Sequence, residues 1–89
     1  MRTLKMNDLI ECFNRAKGYG YTYIGVKIQM EGFPLPEVII NSKSNFDKKL
    51  EYYKNAYNED LTLKSFNGIK IIDFTYGDDF DSIENDLMK

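Results

Sequence analysis

From Gly20 to Glu31 the sequence alternates, and this constrains the fold more than any other feature. Thr22, Ile24, Val26, Ile28 and Met30 fall on one side of an extended chain. Tyr21, Tyr23, Gly25, Lys27, Gln29 and Glu31 fall on the other. A period of two is the signature of a β-strand with one buried face. Gly32-Phe33-Pro34-Leu35-Pro36 must interrupt it, because proline cannot donate to a ladder. Glu37 to Asn41 resumes a β-rich run, so the pair predicts a hairpin with a proline-stiffened loop.

The apolar side of that hairpin needs a cover, and three segments can supply one. Leu9, Ile10, Phe13 and Ala16 form a helical stripe, with Asn7 or Asp8 as cap and Gly18 as stop. Phe46, Leu50, Tyr53 and Tyr57 form a second, with Ser44 as cap. Phe80, Ile83 and Leu87 form a third, with Asp78 or Asp79 as cap. Leu61 and Leu63 alternate with Thr62 and Lys64, and Ile69 to Tyr76 is again β-like. Asn67-Gly68 between them predicts a tight hairpin turn, since that dipeptide tolerates positive φ. The expected order is α-β-β-α-β-β-α. It implies one α+β domain over residues 1–89, with an antiparallel sheet of three or four strands and helices packed on one face. Residues 61–66 read as a strand or as a loop.

With 89 residues there is room for a single thin core, which the thirteen Phe and Tyr rings must largely fill. One cysteine, Cys12, cannot form an internal disulfide. No secretory signal and no run of about 18 apolar residues is present, so no membrane association and a cytoplasmic location are expected. The net charge of −2 is uneven, with residues 1–70 at +3 and residues 71–89 at −5. Neither part resembles a polybasic nucleic-acid arm.

No histidine occurs anywhere. That removes Ser-His-Asp and Cys-His nucleophile systems and His-ligated zinc. Cys12 reads as a small packed residue rather than a reactive thiol, although Arg15 and Lys17 lie nearby in sequence. Asp73, Asp78, Asp79, Asp81, Glu84 and Asp86 could offer oxygen ligands, but not at EF-hand spacing. A helix cap and a solvated helix face account for them, and no metal or cofactor is expected. Gly18-Tyr19-Gly20 lacks the third glycine of a dinucleotide loop. No catalytic residues are assigned, and the chain is expected not to be an enzyme.

Three features remain as binding candidates. Asp78, Asp79, Asp81 and Glu84 could mimic nucleic-acid phosphate and occupy a basic groove. Tyr19, Tyr21, Tyr23 and Lys27 could share one strand face and stack on bases, though tyrosine is also a good β-former. Phe33 in its proline-stiffened loop could anchor an interface, or tuck against the core.

The segments PEVIINSKSNFDKKLEYYKNAYNEDLTLK and IKIIDFTYGDDFDSIENDL resemble a family of small uncharacterised proteins encoded by phages and prophages of Gram-positive bacteria. The resemblance is carried by Pro36, Glu37, Asn41, Phe46, Leu50, Tyr52, Tyr53, Ala56, Tyr57, Asp60, Leu61, Gly77, Asp78 and Ile83. It implies a genomic setting and brings no catalytic or binding residues with it. Together with the acidic C-terminal helix, it predicts a phage accessory protein that binds a host protein. Inhibition of a bacterial defence nuclease, in the manner of an anti-CRISPR protein, is the concrete version. A nucleic-acid or nucleotide binder using the tyrosine face is the alternative, and self-association as a homodimer is left open.

Overall fold

The computed structural model describes residues 3–88. Three helices and four strands follow the expected order: α1 (Met6–Tyr19), β1 (Tyr23–Met30), β2 (Glu37–Ser42), α2 (Phe46–Ala56), β3 (Thr62–Leu63), β4 (Phe66–Gly77) and α3 (Phe80–Met88). A short 3-10 turn, Lys43–Asn45, leads into α2. The strands form one antiparallel sheet in the order β2-β1-β4-β3.

The alternation in β1 places its residues as its period demands. Ile24, Val26 and Ile28 are buried together with Leu9, Phe13 and Ala16 of α1 and Phe46 and Tyr53 of α2. Phe13 joins the two helices, with ring centroids 5.9 Å from Phe46 and 6.3 Å from Tyr53. Burial of this much aliphatic and aromatic surface, at about 25 cal/mol per Å², is the main driving force for folding.

The third helix departs from the expected arrangement of all helices on one face. Gly25 lies between the buried Ile24 and Val26, so it looks out from the other side of the sheet. A Cβ there would stand 2.4 Å from Ile83 Cγ2 and 2.8 Å from Leu87 Cδ1. The α3 stripe therefore packs on the reverse face, and the molecule has three layers. The reason lies in β1 itself. A glycine on its polar side leaves a notch, and β2 adds Ile40 beside it, directly across from Gly25. That apolar notch fits a short helix buried by only two side chains, Ile83 and Leu87.

Local signals were offset at several points. Helix α1 runs on past Gly18 and stops at Gly20, which takes the left-handed conformation (φ 75°). Its first turn is closed by Asp8, whose carboxylate accepts the Lys5 backbone N–H, rather than by an Asn7 or Asp8 cap. The Ser44 hydroxyl sits 3.0 Å from that of Ser42 and caps nothing, and α2 starts after Asn45. Asn67-Gly68 lies inside β4, with neither residue at positive φ. Lys64 and Ser65 make the turn instead, between Leu63 and its partner Phe66. Gly68 serves close approach, because its carbonyl accepts the Glu31 N–H and a Cβ would stand 2.5 Å from Glu31 Oε2.

Candidate functional site

The acidic residues around α3 divide by what they touch. Asp78 precedes the helix and accepts two bonds of 3.0 Å from Thr22, one from the backbone N–H and one from the hydroxyl. It ties the entry of α3 to the entry of β1. Asp79 accepts the Ser82 hydroxyl at 2.7 Å, and its carbonyl receives the Ile83 N–H, so it closes the first turn. Asp81 and Glu84 are exposed on the helix surface while Ile83 and Leu87 are buried. Negative charge in the first turn also suits the helix dipole. Among the described residues, no group of three or more His, Cys, Asp or Glu side chains is placed to hold a metal ion.

Phe80 opens α3 and remains 46% exposed. Its ring meets Tyr23 edge to face at 6.0 Å. Tyr23 therefore belongs to the α3 side of the sheet, as do Gly25 and Lys27 by the strand's alternation. Lys27 stands across from Asp73 in the ladder with β4.

The other two tyrosines lie elsewhere, which corrects the expected common face. Tyr19 is the last residue of α1 and not part of a strand. Tyr21 precedes β1 and packs toward the main core, with its ring 4.8 Å from Tyr76 and 6.2 Å from Tyr19. The chain turns at Gly20, and this turn, invisible to a period-two count, separates the three rings. What remains is two aromatic groups on opposite faces at one end of the sheet: Tyr19, Tyr21 and Tyr76 on one side, Tyr23 and Phe80 on the other.

Phe33 projects from the β1–β2 loop and is 60% exposed, with Leu35 two residues on at 72%. The loop is pinned from within. Gly32 adopts φ 88°, the Phe33 N–H donates to the Met30 carbonyl, and Gln29 Nε2 donates to the Phe33 carbonyl at 2.9 Å. Of the two readings open from sequence, the loop takes the exposed one.

Cys12 is buried in the core. Burial pushes its thiol up to about 12, with Arg15 pulling the other way and Asp73 adding to the rise. Arg15 itself pairs with Glu11 one turn away. A thiol held neutral in this way is a poor nucleophile. A polar pair that sequence reading missed lies on the same side of the sheet. Asn41 of β2 and Tyr53 of α2 are both buried, and neither Asn41 Nδ2 nor the Tyr53 hydroxyl has a full hydrogen bond. Burial raises the Tyr53 pKa well above the usual phenol value, with Tyr57 and Tyr52 adding to it and the Asn41 amide opposing it. Residue type alone gives no sign of such a pair, since both read as strand and helix residues of mixed polarity. At the start of α1 a small polar depression is lined by Lys5, Met6, Asn7 and Glu59, and it contains none of the candidate residues.

Fold and site together define a small three-layer α+β domain whose distinctive surface is an acidic helix with an aromatic residue at its head. No protein-family model, curated protein or solved structure matches the chain. No helix among the described residues is long and apolar enough to cross a membrane.

Proposed function

We propose that this chain works by binding a larger protein through the outward side of α3 and carries out no chemistry of its own. One observation carries this reading. Two buried side chains seat α3 over Gly25, and the helix then presents Asp81 and Glu84 outward next to the half-exposed ring of Phe80. Carboxylates around an aromatic anchor suit a basic groove, where charge sets the encounter and orientation and the ring supplies burial.

Basic grooves of this kind are the nucleic-acid channels of nucleases and related enzymes. The phage resemblance of residues 36–87 makes a host cell's cytoplasm the setting and a bacterial defence nuclease the partner of choice, with the acidic helix standing in for phosphate. The nucleic-acid alternative loses its main support, because it needed Tyr19, Tyr21 and Tyr23 on one platform.

The test is co-purification from a lysate of a Gram-positive host, followed by competition. A larger protein should be retained by the wild-type chain and released by a DNA or RNA oligonucleotide. The triple variant Asp79→Lys, Asp81→Lys, Glu84→Lys should retain none of it. Retention by that variant at wild-type level would overturn the proposal.

A further inference from the structure

Among the described residues, strand β2 lies at one edge of the sheet and is paired only with β1. The hydrogen-bond phase of that pairing follows from one bond, Lys43 N–H to the Thr22 carbonyl. It makes 22 and 43 a bonded pair. The register then makes Ile24 with Asn41, Val26 with Ile39 and Ile28 with Glu37 the bonded pairs as well. Glu37, Ile39 and Asn41 thus direct their backbone groups inward. Val38, Ile40 and Ser42 direct their N–H and C=O groups to the open edge; among the described residues those of Val38 and Ile40 and the Ser42 N–H meet no partner, while the Ser42 carbonyl accepts the first bond of the 3-10 turn.

An edge of this kind invites another strand unless something blunts it. Within Val38–Ser42 there is no proline, no charged residue and no bulge. Main-chain groups in an extended row are satisfied by another extended row, so the fitting occupant is a β-strand. The sequence of the edge says whose.

We infer that β2 pairs antiparallel with β2 of a second copy of this chain, about a two-fold axis at Ile40. Only this register uses all three outward residues on both copies. Val38 pairs with Ser42 twice and Ile40 with itself, giving roughly six main-chain bonds, two of which share a Ser42 carbonyl with the 3-10 turn. Shifting by two residues toward the N-terminus would set Pro36, which has no N–H, against Ser42. Shifting the other way would set Val38 against Ser44, which has left the strand for the 3-10 turn. The same register brings Glu37 of each copy level with Lys43 of the other, at both ends of the joint. Glu37 and Lys43 are both exposed and form no ion pair with the described residues. Opposite charges across a ladder stabilise it, and like charges oppose it. The edge is therefore self-complementary in shape, bonding and charge, as an isologous dimer requires. This joint does not involve the acidic surface of α3, so the two proposals stand or fall separately.

The test is the mass of the intact chain in solution by sedimentation equilibrium up to ~0.5 mM, a range that populates even weak dimers. The wild type should show a concentration-dependent dimer, with slowed amide exchange at Val38, Ile40 and Ser42 in the dimer. Glu37→Lys should weaken it about tenfold, and Glu37→Lys with Lys43→Glu should restore it. Val38→Pro removes an outward donor that β1 does not use, so it should give a folded monomer. A wild type that stays monomeric throughout would overturn the inference. So would a dimer that is indifferent to both Val38→Pro and the charge pair, or one whose Ile40 amide exchanges freely.

Discussion

At the scale of single residues, two glycines show how position decides the cost of a methyl group. At Gly25 an added Cβ would meet Ile83 and Leu87, two buried side chains on a helix that has no other seat. At Gly68 the two nearest atoms would be the carboxylate end of Glu31 and the rim of the exposed Phe66 ring, both able to move away, with Glu31 Cβ tight at 3.0 Å. Overpacking in a closed layer costs about 1–3 kcal/mol. Gly25→Ala is therefore expected to lower the unfolding free energy by about 2 kcal/mol and Gly68→Ala by less than about 1 kcal/mol, as read from urea midpoints. Adding Ile83→Ala to Gly25→Ala should recover part of the loss, which a double-mutant cycle would detect. Equal costs at the two glycines would argue against α3 lying over Gly25.

Titration is also a matter of single residues. Cys12, Tyr53 and Tyr57 all have raised pKa values, in each case mainly because burial disfavours the charged form. A raised folded pKa means that the stability linked to these groups is complete below their ordinary values, 9.0 for the thiol and 10.0 for Tyr53. It is then lost as pH climbs above those values toward the folded ones. The urea midpoint should hold to about pH 8.5 and fall steadily above pH 9. Tyr53→Phe, which removes a buried hydroxyl lacking a full bond, should change stability at pH 7 by no more than about 1 kcal/mol and soften the alkaline fall. An unchanged alkaline fall in Tyr53→Phe would show that the ring is not titrating there. Asp60 behaves oppositely. The Thr62 hydroxyl and backbone N–H hold its carboxylate pKa down, so its contribution is present above the ordinary 3.8 and fades as pH drops below it.

Elements are held at their ends as much as along their lengths. Asp78 bonds both the N–H and the hydroxyl of Thr22, joining the start of the first strand to the start of the last helix. Asp78→Asn keeps the shape and loses the charge that strengthens both bonds. A loss of about 1 kcal/mol is expected, with slowed amide exchange at Thr22 giving way to fast exchange. The short loop before β3 is fixed in a similar manner. Leu61 is fully buried and adopts φ 70°, a left-handed conformation rare for its type. Its carbonyl receives the Ile71 N–H, and Asp60 binds Thr62 on its other side. Burial of the leucine side chain and these bonds outweigh the backbone strain.

For the molecule as a whole, most of the architecture can be read from β1. Its alternating residues specify a strand, the proline loop specifies a hairpin, and the stripes at 9–16 and 46–57 specify the covering helices. The three-layer arrangement was not legible in the same way. An amphipathic stripe says that a helix has a side to bury, and Ile83 and Leu87 satisfy it equally well on either face of a sheet. The deciding residue was Gly25, whose lack of a side chain has meaning only once Ile40 is known to stand opposite. Asn67-Gly68 misled for a related reason. The pair suits a turn, but the two-residue connection falls at Lys64-Ser65, where Leu63 and Phe66 already face each other. The tyrosines near β1 were read as one platform because the count ran through Gly20, where the chain changes direction. The exposure of Phe33 and the unpaired edge of β2 depend on which strands neighbour which, and strand order is not written in any local pattern.

Seating the last helix on the first strand has a consequence for how the molecule comes to be made and unmade. A chain in which α3 has not yet docked can pair both central strands, yet the hollow around Gly25 and Ile40 has nothing to fill it. A protease cutting in the Asp78–Asp79 link would leave the same bare hollow on an otherwise intact sheet. Such species would be sticky and short-lived, so quality-control machinery would treat the sheet as exposed until α3 had docked.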